Sequence, residues 1–490
     1  MVQCMKKWFG FEEQKTNFKT EILAGIQTFM TMVYIIMVHP SIMAACGMPQ
    51  EAVFLSTCLV IVLTTLAMGI YGRFPFALAP GMGSNAIMSF TVVNAGVASW
   101  QTAMGMFFIS GLLSIVVSVP CFRRQRADGA GKEWFSLREK VTKHIPIGMK
   151  LGLGAAIGMF LLRLGLTSTG ITVIGQGELA AGDLTSTTVF ISLVGLVITC
   201  FLFFGFNKRY GGEWKLPGAV LVGIVLTAVL LAVTGAIKWP EGQWFAVPDF
   251  SKIKEVAFQL DIVGALQIKY IPYIFVFFLG DFFSTVGTSL ACSAKAGFMD
   301  KETGDIQNLD RMFSVDGTAS AFGSLLGLPA VTTYVESAAG VEAGGRTGFT
   351  AVVTALCFAI ATFMSDIFLW VPGEATGVAL IVVGISMMLV LKDLPWDDMI
   401  EVTPILIMVS VTAYSGDFAA ALCVGLIVHF IFSFFRWSMY ASGWLKADAT
   451  AKADGSLQNM SATEYIASLR PKAMTVVLAI MAVLQFVVKI

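Results

Sequence analysis

The sequence predicts an all-α polytopic membrane protein of fourteen apolar segments, arranged as 7+7 inverted repeats, with short strands in broken segments 3 and 10. Three observations lead there. Hydrophobic residues make up 56% of the 490 and charged residues 13%, whereas a soluble domain carries about 25% charged residues. Apolar stretches recur at close to the roughly 20 residues that a helix needs to cross about 30 Å of hydrocarbon. Two stretches interrupted by Pro and Gly hold corresponding places, third in each set of seven. The same composition excludes a soluble multidomain enzyme, and 39 Phe with 10 Trp exclude a disordered chain. Lys+Arg and Asp+Glu balance at 32 each, so no basic field draws nucleic acid.

Residues 1–20 are polar, carry Lys6, Lys7, Lys15 and Lys19, and show no apolar run ending in a cleavage site. They read as a cytoplasmic N-terminus. Segments 1 and 2 follow at 21–39 and 51–71, the broken segment 3 at 74–95, and segment 4 at 101–121. Segments 5, 6 and 7 lie at 146–166, 187–206 and 217–237, and segments 8 and 9 at 269–291 and 312–328. The broken segment 10 occupies 329–344, and segments 11 to 14 lie at 349–370, 374–391, 400–414 and 416–436. A last apolar run, 473–488, either spans or lies in the interface.

Lys and Arg mark the cytoplasmic side of a membrane protein. With the N-terminus inside, the loop after segment 4 holds Arg123, Arg124, Arg126, Lys132, Arg138, Lys140 and Lys143. The loops after segments 6 and 8 hold Lys208, Arg209, Lys215, Lys295, Lys301 and Arg311, whereas the outside loops 40–50, 96–100 and 167–186 hold none. The exception is 238–268, a long loop whose Lys238, Lys252 and Lys254 are offset by acids. Seven segments is an odd number, so the second repeat enters from the opposite face. The eight cysteines are scattered without a C-x-x-C pair, which fits small apolar packing residues and neither a disulfide framework nor a zinc site.

Segment 3 reads F-P-F-A-L-A-P-G-M-G-S-N-A-I-M-S-F over 74–90. Pro75, Pro80, Gly81 and Gly83 forbid a continuous helix and predict an extended piece near 75–80 with a short helix from about Ser84. In segment 10, Gly327 and Pro329 stop the preceding helix, A-V-T-T-Y favours a strand, and V-E-S-A-A-G starts a helix. Irregular backbone at membrane depth survives only where protein or a water-filled cavity satisfies its N–H and C=O groups. Paired broken segments are the mark of a transporter binding site.

Charge inside a span costs several kcal/mol and needs a reason. Asp281 lies midway along segment 8, and Glu336 at the start of the segment 10 half-helix. Each carboxyl can accept N–H bonds from a heterocycle and carry a proton. Their plain alternatives are a helix–helix hydrogen bond for Asp281 and a cap for Glu336. Asn85 is placed at the head of half-helix 3 as a hydrogen-bonding group or a cap. Thr285 shares the face of Asp281, Thr332, Thr333, Tyr334 and Ser337 flank Glu336, and Phe76 is a candidate to stack on an aromatic ligand. Arg163 is read as pairing with an acid or snorkelling. Gly148, Gly152, Gly154 and Gly158 provide G-x-x-x-G spacing for close helix contact. Asp316, Glu342, Asp366 and Asp417 have no assigned place. His39, His144 and His429 lie at span ends or in a loop, which disfavours a histidine relay. G-G-R-T-G at 344–348 lacks the Lys and spacing of a phosphate-binding loop.

Four stretches carry a family resemblance: E-I-L-A-G-I-Q-T-F-M-T-M-V-Y-I-I (21–36), P-F-A-L-A-P-G-M-G-S-N-A (75–86), D-F-F-S-T-V-G-T (281–288) and T-T-Y-V-E-S-A-A-G-V-E-A-G-G-R-T-G (332–348). On these the chain resembles the nucleobase–cation symporter-2 family, in its azaguanine-resistance-like guanine/hypoxanthine/adenine permease branch. The resemblance implies a core domain of segments 1–4 (21–121) and 8–11 (269–370) and a gate domain of segments 5–7 (146–237) and 12–14 (374–436), with 437–490 as a C-terminal tail. It implies import of a purine nucleobase through the cell membrane by alternating access, with the proton as coupling ion and no cofactor, metal or enzymatic activity. It further implies dimers.

By resemblance the two acids are Asp281 and Glu336, both binding the base and coupling the proton. Asn85 is the segment 3 polar residue, Phe76 the stacking aromatic, and Tyr334 and Val335 offer backbone groups. Two positions depart from the branch. Its D-x-F-D-T-x-G-T has Ser284 for the second acid, and its N-P after segment 1 is His39-Pro40. Loss of that acid removes one candidate for base or proton binding. The rival readings are another base (uracil, xanthine or a urate-like purine), an anion, and a passive channel.

Overall fold

The computed structural model describes residues 2–442 except 126–131, 137–146, 176–177, 206–217, 241–243, 299–305, 307, 395 and 417. The run 473–488, nearly all of the tail 437–490, much of the basic loop after segment 4, His144 and Asp417 lie outside the described residues. Among the described residues, eight helices are long and apolar enough to cross a membrane, and four shorter apolar helices accompany them. Segment 1 is Phe18–Met32 followed, after a break at Val33 and Tyr34, by Ile35–Ala44. Asn17 caps its start by accepting from the Thr20 N–H at 3.0 Å.

Helix packing follows the small residues. The helix Gly373–Met388 of segment 12 packs most extensively on Ile147–Ser168 of segment 5. A Cβ built on Gly158 would come within 2.7 Å of the Gly384 carbonyl, and one on Gly165 within 2.6 Å of the Gly377 carbonyl. Only glycine permits that approach. Gly152 meets Ile405 of segment 13, whereas Gly154 faces open space. Of the predicted glycines, Gly152 and Gly158 thus pack closely and Gly154 does not, while the surroundings of Gly148 lie outside what is described. Segment 9 (Leu309–Leu325) lies against segment 4 (Trp100–Ser118), and segment 13 (Met399–Ser415) against segment 14 (Phe418–Ala441).

Arg163 reaches backbone carbonyls at the end of segment 13. Its guanidinium donates to the carbonyls of Ala413 at 3.2 Å and Tyr414 at 2.6 Å. It therefore satisfies the orphan acceptors at the end of the segment 13 helix, where a cation also suits the helix dipole.

Both broken segments are strand-then-helix units. Segment 3 contains strand β1 (Leu78–Pro80), then a short helix Met82–Ala86 running into a π-helical turn Ile87–Val93. The helix begins two residues before the predicted Ser84, because Gly81 already holds the N-cap position. Segment 10 contains strand β2 (Val331–Thr333) and the half-helix Ser337–Glu342. The two strands pair antiparallel, Leu78 opposite Thr333, Ala79 opposite Thr332 and Pro80 opposite Val331. The Gly81 N–H reaches the Ala330 carbonyl at 2.8 Å, and the Tyr334 N–H reaches the Ala77 carbonyl at 2.9 Å. Side chains satisfy much of the rest. Thr65 Oγ1 accepts from Leu78 N, Ser337 Oγ accepts from Ala77 N, and the Tyr334 hydroxyl donates to the Pro80 carbonyl at 2.7 Å. This is how backbone freed from helix survives in an apolar interior.

Candidate functional site

Strand β2 and the residues that follow each strand line a cavity of about 280 Å³, near the lower end for small-molecule sites. From segment 3, Gly81 to Ser84 and Ile87 line it. Met82, Gly83 and Ser84 are first-turn residues, whose N–H groups have no intrahelical acceptor. From segment 8, Phe277, Gly280, Asp281, Ser284, Gly287 and Thr288 line it, a single face at helical spacing. Segment 10 supplies Thr332 to Glu336, and segment 1 supplies Tyr34. The opposite wall is Gly154, Ile157 and Leu161 of segment 5 with Val383, Ser386, Met387 and Val390 of segment 12. Two carboxyls and several hydroxyls thus face a wall whose one hydroxyl is Ser386. No Lys or Arg lines the cavity among the described residues, so nothing cationic there neutralises the two acids.

Five of the expected site residues line this space: Asp281, Thr333, Tyr334, Val335 and Glu336. Glu336 stands at the N-cap position of its half-helix but makes no capping bond. Its Oε1 instead accepts from the Tyr34 hydroxyl at 2.6 Å. Asp281 Oδ2 accepts from Ser320 at 3.0 Å and Ser114 at 3.4 Å, so it is tied to segments 9 and 4 as well as facing the cavity. Tyr334 has its N–H engaged by Ala77 and its hydroxyl by Pro80, which leaves its N–H no role towards a ligand.

Four of the expected residues lie behind the wall. Phe76 is fully buried and stacks on Phe74 with centroids 5.2 Å apart. Asn85 is inside the short helix, not at its head. Its Nδ2 lies 4.0 Å from Met82 Sδ, and its Oδ1 accepts no hydrogen bond among the described residues. Ser337 is spent on the Ala77 N–H at 3.0 Å. Thr285 bonds Asp316 at 2.8 Å and Thr332 at 2.6 Å. In each case the side chain is turned into neighbouring protein.

Asp316 now has a place. It is fully buried and accepts from Thr285 Oγ1, from the Thr333 N–H at 3.1 Å and from Thr333 Oγ1 at 3.3 Å. Segments 8 and 9 thereby form a crossed ladder. Asp281 meets Ser320 on one rung and Thr285 meets Asp316 on the next, each pair of partners four residues apart on its helix. Both rungs grip β2, because Ser320 also donates to the Val331 carbonyl at 2.8 Å. Glu342 pairs with Lys295 at 2.6 Å on the surface. The G-G-R-T-G loop is held by Glu21, which accepts from Arg346 N at 3.0 Å, Thr347 Oγ1 at 2.8 Å and Thr350 Oγ1 at 2.5 Å. His39 is buried with no partner on either ring nitrogen among the described residues.

The Xan_ur_permease family model, described as a permease family, matches residues 19–422. The chain belongs to this family. Adenine permease AdeQ of Escherichia coli (strain K12) is 33% identical over 428 residues, 87% of this chain and 90% of that protein. Guanine/hypoxanthine permease PbuO of Bacillus subtilis (strain 168) is 32% identical over 425 residues, 86% of this chain and 92% of that one. The nucleobase–cation symporter-2 resemblance is thereby established, and the chain is a permease and no enzyme. Among solved structures, the transmembrane domain of the cyanobacterium bicarbonate transporter BicA matches with a TM-score of 0.54 at 13% identity, covering 84% of this chain and 97% of that one. That likeness concerns the fold alone.

Two features of the permease gain meaning from the cavity. Ser284, where the branch carries an acid, is on the cavity wall, so the departure alters the site itself. Tyr34, Ser386 and Met387 were not singled out by the sequence. Tyr34 sits inside the first of the four recognisable stretches, and its phenol in an apolar span was the available signal. Segment 12 offered only Ser386, and a lone hydroxyl in a span usually bonds its own backbone.

Proposed function

We propose that this permease is a secondary active transporter that imports a purine nucleobase with a proton across the cell membrane. One observation carries the reading: the antiparallel meeting of β1 and β2 sets Glu336 and Asp281 on one cavity, in a chain of the nucleobase permease family. A carboxyl bonds the N–H and ring-nitrogen edge of a base, and the apolar opposite wall covers its flat faces. The lack of a lining cation disfavours an anionic cargo. The names of the relatives support the purine class.

In this reading all fourteen segments span as 7+7 inverted repeats, with the N-terminus in the cytoplasm. Segments 1–4 and 8–11 form a core that carries the site. Segments 5–7 and 12–14 form a gate whose face is Ile157, Leu161, Val383 and Met387, and the protein pairs as a homodimer. Core and gate slide against each other along that apolar face, exposing the site alternately. Asp281 and Glu336 both bind the cargo and hold the transported proton.

The test is uptake of radiolabelled adenine, guanine and hypoxanthine into proteoliposomes, with unlabelled bases as competitors and with or without an imposed pH difference. Accumulation above the external concentration, collapsed by a protonophore, is expected. Uptake that merely equilibrates, or competition by uracil but by no purine, would overturn the reading.

A further inference from the structure

We propose that Tyr34 is a positioning residue for cargo recognition: its hydroxyl holds Oε1 of Glu336, so that Oε2 is the oxygen that meets the base. The inference rests on the purine-carrier reading above and adds to it the resident partner of the key acid.

The geometry is specific. Tyr34 lies in the break of segment 1, between Phe18–Met32 and Ile35–Ala44. Its ring is 1% exposed, yet it borders the cavity, and the hydroxyl lies 2.6 Å from Glu336 Oε1. Thr31, one turn earlier, reaches the Glu336 backbone carbonyl at 3.4 Å. Segment 1 therefore touches both the main chain and the side chain of this one residue. The Tyr34 O–H is the side-chain hydrogen bond this carboxyl receives among the described residues, and it goes to Oε1. The other polar groups nearby are committed: the Tyr334 hydroxyl to Pro80, the Asp281 Oδ2 to Ser320 and Ser114, and Lys295 to Glu342. The Cys292 thiol points to the Val335 carbonyl at 3.9 Å.

The chemical consequence is directional. The Tyr34 O–H donates to Glu336 Oε1, and while it does so it favours carbonyl character at that oxygen. When Glu336 is ionised, Oε2 remains to accept a ring N–H. When Glu336 is protonated, the proton sits on Oε2 and is offered to a ring nitrogen. Tyr34 thus selects which oxygen the base reads in both states, and so which ring edge is preferred. A carboxyl without this partner is free to present either oxygen.

The experiment compares wild-type protein and Tyr34→Phe in proteoliposomes, using labelled adenine and hypoxanthine with their 7-deaza and 9-deaza analogues as competitors. Phe keeps the ring packing and removes the donor. The KM for the parent base should rise about tenfold, as for loss of one hydrogen bond to a charged group, with maximal rate little changed. Discrimination between the base and its deaza analogues should shrink severalfold. Unchanged KM and discrimination would overturn the proposal. So would an equal loss for every competitor, which marks a packing defect. Should Tyr34→Phe not reach the membrane, 3-fluorotyrosine placed at position 34 keeps the hydroxyl and makes it a stronger donor. Discrimination should then sharpen, and no change overturns the proposal. Failure of wild-type protein to carry any purine would instead remove the underlying reading and this proposal with it.

Discussion

Strands Leu78–Pro80 and Val331–Thr333 are equal in length and lie side by side, but the helices that follow them present different chemistry to the cavity. After β1 come Gly81, Met82, Gly83 and Ser84, an offering of backbone and small side chains. A Cβ on Gly83 would stand 3.3 Å from Ile157, so even a methyl group crowds the apolar wall opposite. After β2 come Tyr334, Val335 and Glu336, where a carboxyl is held by a phenol from segment 1. One break provides shape and the other provides charge. Two breaks of the same strand-then-helix form can therefore contribute unequally to one cavity.

The strongest test of that division is removal of the charge. Glu336→Gln and Asp281→Asn should each lower purine uptake by about 100-fold or more, a loss consistent with one or two hydrogen bonds to a charged group. Initial rates normalised to the amount of protein in the membrane would read this out. Normal accumulation with Glu336→Gln would show that the segment 10 side holds no special role, and with Asp281→Asn as well, that neither carboxyl serves recognition.

An intermediate effect is expected at Asp316, which touches no cargo but anchors β2 through Thr333 and Thr285. Asp316→Asn keeps the volume and loses one acceptor oxygen. Uptake should fall about tenfold, together with a lowered unfolding temperature in detergent. An unchanged melting point and KM would mean that the ladder does not position the strand.

The smallest effect belongs to the β1 side. Phe76→Leu should cost about 1 kcal/mol of stability and leave KM for purines unchanged, since the ring packs on Phe74 behind the wall. A raised KM would place Phe76 against the cargo after all and undo the contrast between the two breaks.

The breaks themselves were legible. Pro75, Pro80, Gly81, Gly327 and Pro329 leave few backbone options, and a Thr-rich stretch next to a Pro stop reads as a strand. Asp281 and Glu336 were legible because an acid in a span demands a reason. The facing of Phe76, Asn85, Thr285 and Ser337 was not. Phe76 precedes β1, Asn85 and Ser337 sit in the two short helices and Thr285 in segment 8, so the side each takes is set by packing partners, Ala77 for Ser337 and Asp316 and Thr332 for Thr285. Asp316 was readable as an anomaly but not as an anchor, because its donors come from two other segments. Tyr34 and the segment 12 wall are purely tertiary facts. Nothing local distinguishes Val383 or Met387 from dozens of similar apolar residues.

The β1–β2 ribbon also bears on how the chain is made. Each strand has the other as its hydrogen-bonding neighbour, and they lie in opposite halves of the sequence. During synthesis the first half enters the lipid with its interrupted stretch open, its amides waiting for residues not yet translated. Chaperones or neighbouring water must shelter that stretch until Val331–Thr333 emerges, since unsatisfied backbone is costly there. Co-expressing the two halves as separate polypeptides, rather than either one alone, is the arrangement from which a stable assembly should be recovered.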